Sequence, residues 1–231
     1  MNSIADNIQS IRKRIAKAAL NCSRSPEDVI LLAVSKTFTV DFISEATRAG
    51  LWRFGENRVQ EAAGKIPSFN DVTDLEWHLI GHLQSNKVRR AAELFDVIHS
   101  IDSTRLAEKL NQASLEIGKK LSVLLQVDLS GEETKFGANL SQIREIVSVA
   151  GNLRGIRING LMTIPPFFED PERVRPYFQQ LRELLETLES EQPGCLGHKH
   201  LSMGMSNDFE VAIQEGATIV RIGTAIFGSR Q

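Results

Sequence analysis

The sequence predicts a single α/β domain over residues 1–231, a (β/α)8 TIM barrel with an extra helix at its N-terminus. Three observations predict it. Short apolar runs recur eight times, a helical pattern follows each of the first seven, and 231 residues leave little room for a second domain. Parallel strands joined by helices form an open sheet or a closed barrel. Eight units favour closure.

The first segment, Ile4 to Leu20, places Ile4, Ile8, Ile11 and Ile15 at helical spacing, continued by Ala18 and Ala19. The run Val29 to Val34 is continuous, branched and short, as for a strand buried on both faces. Asp41 to Ala49 reads as a helix ended by Gly50. A strand at Leu51–Phe54 precedes a helix from about Asn57 to Lys65. The alternation continues with strands at Glu76–Ile80, Val97–Ile101, Ser122–Val127, Ile156–Met162, Lys199–Ser202 and Thr218–Ile222. Helices are expected between them at Asn86–Leu94, Thr104–Ile117, Leu140–Ala150, Glu172–Leu188 and Asn207–Glu215. After the eighth strand, Gly223 to Gln231 suit one short helical turn. The N-terminal helix can cover the place of a full eighth helix.

Composition narrows the function. Hydrophobic residues make up 42% and charged residues 24%, an ordinary globular balance. The formal net charge of −2 argues against an electrostatic nucleic-acid binder. No apolar run reaches the roughly 18 residues of a membrane-spanning helix. Charges at Asp6, Arg12, Lys13, Arg14 and Lys17 break any secretory signal. Two cysteines, Cys22 and Cys195, suit a reduced, cytoplasmic chain. No apolar surface stripe stands out, so a monomer is expected.

In such barrels chemistry sits at the C-terminal ends of the strands. Lys36 follows the first strand directly. An amine against apolar walls is easier to deprotonate, and a neutral amine attacks an aldehyde to form a Schiff base. The plain alternative is a lysine reaching to solvent. Asn57 reads as a helix cap or as a group facing a ligand. His78 and His82 are four apart, but Gly81 between them and the missing glutamate speak against a zinc helix. Lys135 is solvated or near an anion. The loop Ser202-Met-Gly204-Met-Ser206 runs into a helix, with Ser206 as its expected cap. Arg221-Ile-Gly223-Thr224 follows the eighth strand. Loops at these two places commonly bind phosphate.

Lys36, Gly55-Glu-Asn57, Ile80-Gly-His-Leu-Gln-Ser-Asn-Lys87, Ser202-Met-Gly-Met-Ser206 and Arg221-Ile-Gly-Thr-Ala-Ile-Phe-Gly228 together resemble the pyridoxal phosphate homeostasis protein family, the YggS/PROSC group. The resemblance covers essentially the whole chain. It implies a fold type III barrel similar to the alanine racemase N-terminal domain. It further implies that Lys36 holds pyridoxal 5'-phosphate (PLP) as a Schiff base. Ser206, Gly223 and Thr224 would bind the phosphate, Ser202 and Gly204 would support that loop, and Arg221 would face the pyridine nitrogen. Asn57 would lie beside the cofactor. No metal is implied.

An arginine at the ring nitrogen disfavours its protonation and weakens the electron sink. In the racemases a second base, a tyrosine, comes from a separate C-terminal domain, which is missing here. The only tyrosine, Tyr177, is expected away from the mouth. The expected function is therefore not enzymatic: holding PLP, keeping vitamin B6 and amino/keto acid pools in balance, and handing PLP to apo-enzymes. The alternatives are a low-activity PLP-dependent amino-acid racemase and a barrel enzyme using Lys36 on a small phosphorylated metabolite.

Overall fold

The computed structural model describes residues 3–131 and 136–228. Lys135 lies outside them. Helix α1 (Ile4–Asn21) opens the described chain. Ser3 caps it reciprocally: its hydroxyl accepts from Asp6 N–H, and the Asp6 carboxylate accepts from Ser3 N–H. The strands are β1 (Ile30–Val34), β2 (Arg53–Glu56), β3 (Glu76–Leu79), β4 (Val97–Ile101), β5 (Leu121–Gln126), β6 (Ile156–Met162), β7 (His200–Ser202) and β8 (Ile219–Ile222). Between them run α2 (Val40–Arg48), α3 (Val59–Lys65), α4 (Val88–Leu94), α5 (Thr104–Glu116), α6 (Leu140–Val149), α7 (Arg175–Glu191) and α8 (Phe209–Gln214). The short α9 (Thr224–Phe227) follows β8.

Every strand pairs in parallel with the next, and β1 pairs with β8 to close the barrel, Leu32 opposite Arg221. The expected barrel is thus observed. Some boundaries differ from expectation for identifiable reasons. Strand β2 starts at Arg53 rather than Leu51, because Leu51 N–H turns back to Ala46 O in the closing motif of α2, with Gly50 at φ +84°. Helix α8 starts at Phe209 with Asp208, not Ser206, at its cap position. Helix α3 starts at Val59 with Arg58 in that position, so Asn57 does not cap it either.

The strands separate two apolar clusters. In β1, Leu32 and Val34 join Ile80, Leu124, Met162 and Ile219 in a small cluster, while the alternating Leu31 and Ala33 belong to a much larger one. Alternation along barrel strands assigns the small cluster to the interior and the large one to the layer under the helices. Fully buried Phe54, Phe95, Phe178 and Phe209 anchor that outer layer.

Helix α1 fills the gap left by the brief α9. It packs against α2, α8 and α9. Its stripe of Ile4, Ile8, Ile11 and Ile15 is buried, and Asn7 Nδ2 donates to Ile226 O at 2.9 Å. No helix among the described residues is long and apolar enough to cross a membrane. Because α1 shares the barrel's core, Ile8→Ala should cost about 2–5 kcal/mol in urea unfolding. An unchanged midpoint would mean that α1 is only appended.

Candidate functional site

A cavity of about 1000 Å³ opens at the C-terminal ends of the strands. Six residues expected from the sequence line it: Lys36, Asn57, Ser206, Arg221, Gly223 and Thr224. Ser202 and Gly204 do not. Gly204 has φ +91°, and a Cβ there would meet Ala212 Cβ at 2.6 Å, so it serves the packing of α8. Ser202 is fully buried and bonds Arg221 from behind.

Lys36 is half-buried in the cavity wall, just past β1. Its two chain neighbours are tied to a buried ionic cluster. Ser35 Oγ donates to Glu56 Oε1 at 2.7 Å. Lys65 Nζ donates to Glu56 Oε1 and to Ser35 O, both at 2.9 Å, and to Glu61 Oε1 at 2.6 Å. Glu61 Oε1 also accepts from Thr37 N–H. Thr37 has φ +69°, so the turn holding Lys36 is set by these bonds rather than by backbone preference. Burial pushes the Glu56 carboxyl above its ordinary range, offset in part by Ser35 and Lys65.

Asn57 is placed by close backbone approach. A Cβ at Gly81 would lie 2.2 Å from Asn57 O, so only glycine lets the exit of β3 pass this closely. Gly223 is a different case. Its φ of −113° suits any residue, and a Cβ would meet Val34 only at 3.4 Å. Packing does not demand glycine there, and Gly223 lines the cavity.

Arg221 is 4% exposed and donates from Nη1 to Ser202 O (2.6 Å) and Oγ (2.7 Å), and from Nη2 to Thr163 O (2.8 Å). Burial lowers its pKa to about 10, with Asp208 acting in the opposite direction. Asp208 also closes the turn before α8. Its Oδ1 accepts from Met205 N–H at 2.6 Å, and its own N–H donates to Met205 O at 3.1 Å. Ser206 and Asn207 form the crest of that turn and line the cavity. The first N–H groups of α9, at Thr224 and Ala225, precede the helix's own hydrogen bonds.

Sequence reasoning missed several parts. Asp208, Arg58, Lys87, Gln126 and Phe136 also line the cavity. His82 stacks on Phe136, with ring centroids 4.0 Å apart, and its Nδ1 lies 3.5 Å from Asp102 Oδ2. Glu56, a carboxylate ending an apolar strand, was the one readable signal for the ionic cluster. Lys65 carried none, because only the turn of α3 brings its amine back to Ser35. His78 is buried inside β3, apart from the exposed His82. Among the described residues no group of three or more His, Cys, Asp or Glu could hold a metal ion. Tyr177 lies on α7, near Phe168, and is not in the cavity lining.

Comparison with known proteins identifies relatives of the whole chain. The model of the alanine racemase N-terminal domain family matches residues 1–231. The pyridoxal phosphate homeostasis protein of Escherichia coli strain K12 is 45% identical over 234 residues, covering 100% of this chain and 98% of its own. That of Aquifex aeolicus is 44% identical over 226 residues, covering 98% of each. The structure of PipY from Synechococcus elongatus, solved with PLP bound, superposes with a TM-score of 0.87 at 40% identity, covering 98% of this chain and all of its own. Alanine racemase of Clostridium difficile shares the fold, with a TM-score of 0.71 at 18% identity, and this chain covers 57% of it.

Two outcomes test the site's electrostatics. Lys65→Met leaves Glu56 buried and unpaired and should cost about 3–5 kcal/mol in urea unfolding. A loss under about 1 kcal/mol would mean the pair behaves as a surface one. Burial raises the Asp208 pKa above its ordinary 3.8, so the folded chain holds that proton more tightly than the unfolded one. The resulting stabilisation is present below pH 3.8 and is lost as pH rises through the raised value. The stability of the protein relative to Asp208→Asn should therefore fall as pH rises from about 3.8 through the raised value and then level off. A difference that grows with pH would reverse the assignment.

Proposed function

The chain belongs to the pyridoxal phosphate homeostasis protein family, on the barrel of the alanine racemase N-terminal domain, and from that premise we propose that it holds PLP through Lys36 and regulates its supply without turnover. The observation that carries this reading is the meeting of Lys36, Arg221, Gly223 and Thr224 on one cavity.

The residues present fit this cofactor. Bound PLP supplies an aldehyde that an amine captures and a pyridine ring that draws electrons best when its nitrogen is protonated. Lys36 offers the amine from a turn fixed on both sides. Arg221 keeps Nε–H and one Nη2 proton uncommitted to other described residues, so it can donate to the ring nitrogen but not protonate it. An arginine in this role withholds the full electron sink. Ser206, with the α9 amides at Thr224 and Ala225, would hold the phosphate, and Gly223 adds no side chain to the cavity wall beside it. Asn57 lines the same wall and would flank the ring. Ser202 and Gly204 would support from outside the cavity.

The exposed apolar side chains Phe136, Ile164 and Phe167 at the cavity wall support handover to apo forms of PLP-dependent enzymes. Neither cysteine forms a disulfide, which suits the cytoplasm. The reading includes a single-domain monomer.

Reduction with borohydride followed by peptide mass spectrometry should find a pyridoxyl group on Lys36, and Lys36→Ala should purify colourless. An adduct elsewhere would sink the assignment. Ser206→Ala should weaken PLP retention by about 0.5–1.5 kcal/mol in equilibrium dialysis. Unchanged retention would move the phosphate to other residues. Single-enantiomer amino acids incubated with the protein should keep their optical purity on chiral chromatography. Rapid loss that depends on Lys36 would favour the racemase alternative.

A further inference from the structure

Inside the barrel a line of polar side chains runs away from the cavity. Arg221 on β8, Ser202 on β7, His99 on β4 and His78 on β3 are each buried, at 4%, 0%, 0% and 2% exposure. They occupy inward positions, flanked along their strands by outer-layer residues such as Val220 and Ile222, Leu201 and Met203, or Trp77 and Leu79. Arg221 Nη1 lies 2.7 Å from Ser202 Oγ. Ser202 Oγ lies 3.0 Å from His99 Nδ1. His99 Nε2 lies 2.8 Å from His78 Nδ1.

We propose that His99 and His78 are positioning residues, which with Ser202 form a one-directional hydrogen-bond chain that sets the Arg221 guanidinium at the cofactor site. The inference rests on the reading of Arg221 as the group facing the ring nitrogen. The direction follows from donor chemistry. A guanidinium only donates, so Ser202 Oγ accepts from it and its own proton goes to His99 Nδ1. His99 must then carry its proton on Nε2 and give it to His78 Nδ1. His78 is left with its proton on Nε2 as well. That atom lies 3.3 Å from Glu76 Oε1, too poorly aligned for a full hydrogen bond but close enough for a charge–dipole contact. The His78 contact and the Arg53 guanidinium, whose Nε lies 2.7 Å from the carboxylate, hold the Glu76 carboxyl below its ordinary range despite burial. The chain thus starts on a fixed cation and points at a fixed anion.

The reverse direction serves these contacts worse. With its proton on Nδ1, His99 would donate to Ser202 Oγ, which already accepts from Arg221, so the hydroxyl proton would lose its acceptor, and His78, donating from Nδ1, would turn a bare Nε2 toward Glu76. A doubly protonated His99 would add a second charge beside Arg221. Burial first, with the Arg221 cation beside it, holds its pKa well below the usual range. The residue needed at 99 must accept at one end and donate at the other.

The test combines the ligand-free protein with its PLP complex. Nitrogen-15 NMR of histidine-labelled, ligand-free protein at neutral pH should show both imidazoles neutral, with the proton on Nε2. A proton on Nδ1 of either ring, or a cationic ring, would overturn the chain. In the PLP complex, His99→Leu should weaken retention several-fold and move the pH at which the visible band changes. His99→Gln, accepting through Oε1 and donating through Nε2, should restore both. A purely space-filling histidine predicts lower unfolding stability in both variants with the band unmoved, and that outcome would also overturn the proposal. Where His99→Leu fails to fold, Ser202→Ala breaks the same chain with less change in volume and should move the band in the same way. Absence of PLP from the wild-type protein, with the tautomers as stated, would defeat the cofactor reading while upholding the hydrogen-bond chain.

Discussion

A guanidinium buried inside a closed barrel must be surrounded by oxygen, because it cannot give up its proton and cannot accept a hydrogen bond. Arg221 meets this demand with two carbonyls and one hydroxyl, drawn from Thr163 and Ser202. Those atoms sit at the ends of β6 and β7, so three strands must keep their register for one cation to remain satisfied. The register pairs Met162 with Ser202, and Leu32 of β1 with Arg221. The polar line through Ser202 and His99 extends the same requirement across the interior to β3.

The amine side of the cavity obeys a second constraint of the same kind. Glu56 is fully buried, and Lys65 is the cation that makes this tolerable. Their pairing also recruits Ser35 and Glu61, which clamps the turn on either side of Lys36. The barrel therefore presents a lysine and an arginine from walls held independently. Neither fastening uses a carboxylate that faces the cavity, apart from Asp208 near Arg221. The result is a recess whose polar groups are already in place, which suits holding a reactive aldehyde more than reshaping a substrate.

Much of this was legible in the sequence, for a specific reason. Parallel strands buried on both faces read as unbroken branched runs, and Val97–Ile101 and Ile156–Met162 appear in the structure with the expected boundaries. Strand ends then located Lys36, Asn57 and Arg221. Turn chemistry was less readable. Ser206 resembled a cap, but Asp208 does the turn's bonding. Gly204 resembled a ligand loop glycine, but the nearness of Ala212 decides its identity. The buried cluster around Lys65 and the line from Arg221 to His78 join residues on separate strands and helices. No local pattern encodes such distant partners, and only the closed sheet brings them together.

The seam between β1 and β8 sets a condition on synthesis. Ile30 finds its partner Ile219 only after the seven other strands have been synthesised, and α1 waits equally long for α8 and α9. Contacts this distant along the chain slow folding. Until they form, the edge of β1 that meets β8 and the apolar stripe of α1 are bare, and the nascent polypeptide passes through an adhesive stage that chaperones would be suited to shield.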